Sequence, residues 1–368
     1  MINHGIERAP DERVNWKTSA AFLAAHAVVL LTFLTGITPT AVVLFLALYW
    51  GRMFFITAGY HRYFAHRSYK LGRFMQFVMA FGGSSAAQKG PLWWASHHRN
   101  HHRYSDTELD LHSPQKGFWW SHVGWILCDK NNDWNPDDIR DFAKFPELRF
   151  LNRHDWIAPW SVAIASFLIG GWSGLVFGFF GSTVALWHGT FFVNSLAHVF
   201  GRRRYATTDT SRNSALIAFI TLGEGWHNNH HYYQASARQG FFWWEFDVSY
   251  YVLKGLSFVG LVKELKQPPA RVKTAARIRD GSFDMGMFKA HWAKATVAVH
   301  NVRSHRAKEA DPALLEADPE LATRRAHLDE LIAANRAALA EHVQNALAHA
   351  EELGRLSRRQ ERQAGTID

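Results

Sequence analysis

Three runs of histidine in this chain have the spacing of metal ligands: His61-Arg62-Tyr63-Phe64-Ala65-His66, His97-His98-Arg99-Asn100-His101-His102 and His227-Asn228-Asn229-His230-His231. On a helix stepping about 100° per residue, His98, His101 and His102 share roughly 100° of arc, and His227, His230 and His231 repeat that face. His61, His66 and His198, the last from Asn194-Ser195-Leu196-Ala197-His198, bring the set to nine of the 22 histidines. Nine imidazoles are too many for one tetrahedral zinc and suit two metals with incomplete coordination shells. Imidazole binds zinc, copper, iron and nickel, so ligand type alone does not choose the metal. His97 falls just outside the arc of its neighbours and is expected beside the metals or a headgroup.

One HxxHH on a basic surface is ordinarily a solvated patch; two copies with an HxxxxH and an NSxxH are not. Glu224-Gly225-Trp226-His227 is the only ExxH in the chain. A carboxylate-bridged di-iron site of the ferritin type needs two such motifs and further glutamates. Glu224 is therefore expected to orient a ligand histidine through a hydrogen bond. His26, His112, His122, His154 and His188 are expected in packing, at interfaces or around the site. The single cysteine, Cys128, excludes an intrachain disulfide and cysteine-ligated zinc or iron–sulfur centres.

The elements that must carry these residues are apolar. Mean hydropathy is mildly negative, but long uncharged runs occupy the first 200 residues. Residues 19–36, 40–59, 157–171 and 174–198 are expected to span a membrane, the last two joined by a turn at Gly170–Gly174. The outer turns carry no Lys or Arg, whereas Arg13, Lys17, Arg62, Arg67, Lys70 and Arg202-Arg203-Arg204 lie on the other side. The positive-inside rule then places both termini and all three histidine runs in the cytoplasm. Arg52, inside the second span, is expected to snorkel to the cytoplasmic interface rather than pair within the bundle. Residues 71–90, 117–127 and 240–262 read as amphipathic helices in that interface. The formal net charge of +9 fits topology and anionic lipid rather than nucleic acid. The expected organisation is a cytosolic segment over 1–18 without signal-peptide layout, a membrane domain over 19–265, and a charged cytosolic helical extension over 270–368, with helices in Leu314–Glu361. The fold class is all-α: an integral membrane protein of four transmembrane helices with a cytosolic histidine-rich di-metal cap.

At these residues the sequence resembles the acyl-CoA/acyl-lipid Δ9 desaturase family, the integral-membrane relatives of stearoyl-CoA desaturase. The matching runs are Ile56–His61, His98–Asp106, Gly117–Trp125, Asn194–His198 and Glu224–His231, within about residues 20 to 265. The resemblance implies two iron ions held by His61, His66, His98, His101, His102, His198, His227, His230 and His231, with Asn194 contributing through water. It implies an acyl tunnel bent beside Gln88, Trp94 and Thr190 and closed near Tyr49 and Met53. The implied reaction is O2-dependent insertion of a cis double bond, at Δ9, into a saturated fatty-acyl chain. The chain shows no GxGxxG fingerprint and no cysteine cluster, so the electrons are expected from ferredoxin or a b-type cytochrome with its reductase. Ser96-His97 stands where animal acyl-CoA members carry Arg-Asp, which leaves CoA thioester and membrane lipid ester both open. The same metal architecture would serve a hydroxylase; a metal transporter or sensor would need ligands along a path through the spans. The expected location is the bacterial inner membrane, with no nucleic-acid partner and the oligomeric state open.

Overall fold

The computed structural model describes residues 9–107 and 109–278. The helices expected within 314–361 and most of the 270–368 extension lie outside them, as do residues 1–8. The described residues up to Arg277 belong to one compact unit, which is mostly helical. Its only sheet among the described residues pairs β1 (Lys70–Leu71) antiparallel with β2 (Val262–Lys263), in the register Lys70↔Lys263.

Helix α1 covers Ala20–Leu30 and is followed by one further turn, Thr32–Thr35, that ends at Gly36 with φ 66°. Helix α2, Pro39–Phe54, begins with proline at N1, and the Thr38 hydroxyl accepts from Ala41 N at 3.2 Å. That pairing of cap and proline fixes the start of the helix. It runs on as a π-helix over Phe55–Ala65, in which every residue from Ile56 to Ala65 is buried. Pro39–Ala65 is thus 27 residues, long and apolar enough to cross a membrane.

The second long apolar run is Ile157–Val199, 43 residues. Helix α6, Ile157–Ser173, is broken by Gly171 at φ 58° and ψ −151°. A Cβ on Gly174 would lie 2.4 Å from the Ser166 carbonyl oxygen, so the chain doubles back here. Only residues without Cβ allow that approach. The return leg is a π-helix over Gly174–Gly181, then α7 (Ser182–Asn194) and the single turn α8 (Leu196–Val199). Leu168, Ile169 and Trp172 on α6, like Phe33 and Leu34, are exposed. Large apolar side chains facing outward on the longest helices belong to a membrane-associated protein.

Arg52 departs from expectation. It is buried, and its guanidinium donates to Thr183 Oγ1 (2.7 Å), Ser182 Oγ (2.6 Å) and the Ser85 carbonyl (3.2 Å). With the Leu48 carbonyl at 3.0 Å as a fourth neutral acceptor, the guanidinium is satisfied inside the helices and has no need to snorkel. Of the amphipathic segments, α3 (Arg73–Ser84) and α10 (Val248–Phe258) are single helices, whereas 117–127 divides into α5 (Phe118–His122) and a 3-10 turn, Gly124–Ile126.

Candidate metal centre

The π-helix decides how the first histidines stand. Its i→i+5 bonds include one from His66 N to His61 O at 3.1 Å, and the two rings lie 4.7 Å apart. Helix α4, Pro91–Tyr104, carries the second run, and Arg99 on its far side locks the two together. Its guanidinium donates to the carbonyls of Ala65 (2.9 Å) and Phe64 (2.7 Å), which the end of the π-helix leaves unpaired. Helix α9, His227–Tyr232, is only six residues. It is held by the asparagines between its histidines: Asn228 Oδ1 accepts from Arg204 N and Tyr205 N at 2.7 Å each, and Asn229 Nδ2 donates to Glu245 Oε2 at 3.0 Å.

These elements bring nine histidines into two groups. One contains His61, His66, His98, His102 and His230; the other contains His101, His198, His227 and His231. The i,i+4 pair of α4 (His98, His102) and that of α9 (His227, His231) head different groups, and each helix lends its third histidine to the other. The two groups are therefore laced together by two helices in a swapped arrangement.

The nitrogen geometry is that of ligands. His98 Nε2 lies 3.0 Å from both His66 Nε2 and His102 Nε2, and His230 Nε2 lies 3.0 Å from both His102 Nε2 and His61 Nε2. A ring nitrogen has one N–H or one lone pair, so it cannot serve two such neighbours by hydrogen bonding. Nitrogens bound at about 2.1 Å and at right angles around one ion lie about 3.0 Å apart. In the second group His198 Nε2 and His227 Nε2 are 3.1 Å apart, and the buried Nε2 of His231 has no hydrogen-bond partner. The donor set, imidazole throughout, fits a transition metal in each group.

Carboxylates back the rings. Asp110 meets His101 Nδ1 (3.0 Å), Asp209 meets His231 Nδ1 (2.9 Å), Asp106 meets His198 Nδ1 (3.2 Å) and Glu224 meets His61 Nδ1 (2.6 Å). Each such contact fixes the tautomer and aims Nε2 inward. Burial alone would raise these acids, but the facing imidazoles outweigh it: Asp110 and Asp209 sit well below the usual carboxylate range, and Asp106 falls to about 2. Burial, and after it the neighbouring rings, hold His98, His102, His227 and His230 well below the usual histidine range, neutral and ready to bind metal.

Glu224 reaches His61 rather than its sequence neighbour His227, and also accepts from Arg62 Nε at 3.1 Å. Arg62, fully buried, also pairs with Asp247 at 2.7 Å. His97 joins neither group: its Nδ1 meets the Trp93 carbonyl at 2.9 Å and its ring stacks on Trp93 at 4.1 Å. One helical step away from His98 is enough to turn it into the tryptophan cluster. Asn194 is half-buried at the end of α7, one turn before His198. Gln88, Trp94 and Thr190 form one hydrogen-bonded string, Trp94 Nε1 to Gln88 Oε1 at 3.4 Å and Gln88 Nε2 to Thr190 Oγ1 at 2.9 Å. Trp94 stacks on His98 at 4.9 Å. Tyr49 and Met53 close on Gly189, the neighbour of Thr190, where a Cβ would meet them at 2.9 and 3.1 Å. Asp106 closes one of the runs that carry the resemblance, but nothing there marks its role; Asp110 and Asp209 have no distinguishing sequence signal and sit in polar loops where an acid is usually solvated.

The chain matches the fatty acid desaturase family over residues 36–253 and belongs to it. It is an oxidoreductase that desaturates fatty-acyl chains. It is 35% identical over 274 residues to the sn-2 palmitoyl-lipid 9-desaturase of Nostoc sp. (strain 36), covering 73% of this chain and 96% of that one. It is 37% identical over 265 residues to the sn-1 stearoyl-lipid 9-desaturase of Anabaena variabilis, 71% of this chain and 97% of the relative. The icosanoyl-CoA 5-desaturase of Limnanthes douglasii is 38% identical over 218 residues, 58% of this chain and 61% of that one.

Proposed function

We propose that this desaturase inserts a cis double bond between carbons 9 and 10 of a saturated acyl chain carried on lipid or CoA, using a di-iron centre and O2. The observation that carries the reading is the pair of nitrogen groups, five and four imidazoles whose ligand atoms lie within 4.8 Å of one another in each group, with Nε2 pairs such as His66–His98 and His198–His227 about 3 Å apart. His61, His66, His98, His102 and His230 would hold one iron and His101, His198, His227 and His231 the other, with Asn194 acting through water. Iron in these positions supplies the activation of O2.

The protein's part is placement. Gln88, Trp94 and Thr190 line the bend that presents one methylene pair to the centre, and Tyr49 and Met53 set how far the chain end travels. Holding the reacting carbons in one geometry is what selects the bond position. Asp110, Asp209, Asp106 and Glu224 keep the imidazoles of His101, His231, His198 and His61 aimed. Four helical spans carry the cap into the cytoplasm of a bacterial inner membrane. There it meets ferredoxin or a b-type cytochrome with its reductase, which provides two electrons per double bond. The names of the two cyanobacterial relatives support the 9-position and a lipid ester.

Expression in a host of known lipid profile, with mass-spectrometric mapping of double bonds and iron analysis of the purified protein, tests this. New 9-unsaturated chains and about two irons per chain are expected; hydroxylated chains without alkene would overturn it.

A further inference from the structure

The two nitrogen groups differ in access. His101, His198, His227 and His231 are all buried, whereas in the five-histidine group His66, His98 and His102 are half-buried. The residue after His66 is Arg67 and the residue after His102 is Arg103, both exposed. These two cations belong to one rim. Arg67 and Arg99 share Asp141, at 3.4 and 3.0 Å. Arg99 also donates to the Asp138 carbonyl at 2.8 Å, and the Asp138 carboxylate accepts from Arg103 at 3.1 Å. Lys266, exposed and 199 residues further on than Arg67, donates from Nζ to the Arg67 carbonyl at 3.0 Å and so joins the rim.

The charges on this rim do not balance. Four cations stand against two acids, and the acids lie deeper: Asp138 and Asp141 expose 11% and 22% of their side chains, Arg103 and Arg67 52% and 66%. A molecule approaching from solvent therefore meets guanidinium and ammonium groups first. A surface of that sign attracts an anionic partner and speeds its encounter. Stability is a poor reason for the arrangement, since exposed ion pairs contribute little and Lys266 faces a carbonyl rather than an acid. The positive-inside rule gives this side of the protein to the cytoplasm.

We propose that Arg67, Arg99, Arg103 and Lys266, at the half-buried edge of the five-histidine group, are the docking surface of an acidic one-electron carrier protein. The proposal rests on the desaturase reading above. The reaction R–CH2–CH2–R′ + O2 + 2 e⁻ + 2 H⁺ → R–CH=CH–R′ + 2 H2O breaks two C–H bonds and the O–O bond and forms four O–H bonds. O2 takes up four electrons; the acyl chain gives two, and the remaining two come from outside with two protons from solvent. The carrier docks reduced, gives up one electron and leaves oxidised, so two dockings serve each O2. The way in is short, because His66 and His102 each stand one residue from a surface arginine.

The test uses iron-loaded protein in uncharged detergent, a plant-type [2Fe–2S] ferredoxin of net negative charge as the probe, and dithionite as a reductant that needs no docking. Arg67→Glu, Lys266→Glu and the double variant reverse exposed charges on the rim; Lys254→Glu makes the same kind of change on α10, outside it. KM for ferredoxin is expected to rise about 10-fold in each single variant and further in the double one. The kcat at saturating ferredoxin, and the single-turnover product after dithionite reduction, should stay at wild-type level, as should KM in Lys254→Glu. Added salt should raise the wild-type KM and draw wild type and variants together. Ferredoxin affinity for the metal-free proteins, read by biolayer interferometry, should fall in the same order without any turnover. Unchanged KM and affinity in the double variant would overturn the docking surface, and so would an equal rise in Lys254→Glu or an equal loss with dithionite. An effect present in phosphatidylglycerol nanodiscs but not in detergent would give the rim to lipid and overturn it as well. Wild type that yields no unsaturated product with dithionite would instead overturn the desaturase reading, while the affinities still report on the rim.

Discussion

The backbone N–H of His66 donates to the carbonyl of His61 at 3.1 Å, five residues back along a π-helix. In an α-helix, residues five apart point about 140° away from each other; the wider turn puts both rings, 4.7 Å apart, in one metal group. Replacing one ligand in each group should therefore act separately. His98→Ala and His231→Ala are each expected to lower metal content to about one ion per chain or less and to abolish unsaturated product, read by elemental analysis and lipid mass spectrometry. Full metal content in either variant would remove that residue from the ligand set.

The carboxylates behind the rings should matter almost as much. Asp110→Asn and Asp209→Asn leave a hydrogen-bond acceptor at His101 and His231 but no charge. Metal affinity is expected to fall about 10–100-fold in each, measured by competition with a chelator.

The metal-free protein should lose stability in mild acid. His98, His102, His227 and His230 have folded values depressed below about 6.5, so below that pH the unfolded chain binds protons the folded one does not. Stability is full above about pH 6.5 and declines as pH falls beneath it. Asp106, Asp110 and Asp209 add a further loss below about pH 4, as they are forced to protonate. Thermal melting in detergent between pH 8 and 5 checks this; a flat profile across that range would contradict it.

Arg62 and its two acids tie the π-helix to the segments that carry Glu224 and Asp247. Asp247→Asn should cost about 3–5 kcal/mol, because it leaves a fully buried guanidinium short of one counter-charge. The cap at Tyr250 N (3.0 Å) survives, because asparagine keeps one acceptor oxygen, but Asp247 Oδ2 also accepts from Gln239 N at 2.7 Å, and an amide nitrogen in its place cannot. Denaturant midpoints of the two proteins measure it.

Chain length should respond to Tyr49, Met53 and Gly189. With Tyr49 and Met53 closing the proposed acyl tunnel, Met53→Ala is expected to shift product toward longer acyl chains. Gly189→Ala crowds Tyr49 and Met53 and should shift it toward shorter ones. The chain-length profile of the products, with metal content unchanged, decides.

The sequence made some of this legible and hid the rest for definite reasons. HxxHH spacing picks out His98, His101 and His102 as one helical face, yet the face is wide enough to touch two centres, and adjacent His101 and His102 part company. Glu224 was readable as an orienting acid, but its partner is His61, reached through the tertiary fold rather than along its own helix. Asp110 and Asp209 were invisible because loop acids are common, the role of Asp106 was hidden although it ends a matching run, and nothing in the chain announces Ser182, Thr183 and the Ser85 carbonyl as acceptors for Arg52. His97, expected at the edge of the site, joins neither nitrogen group and stacks on Trp93.

His61 and His230, whose Nε2 atoms meet at 3.0 Å, are 169 residues apart in the chain. During synthesis the first four members of the five-histidine group leave the ribosome long before the fifth exists, and His227 and His231 arrive with it. Neither nitrogen group can be completed before residues 230 and 231 are made, so metal capture waits for most of the matched domain. Contacts of such long separation form late and slowly, which makes metal loading a readout of whether the whole domain has folded.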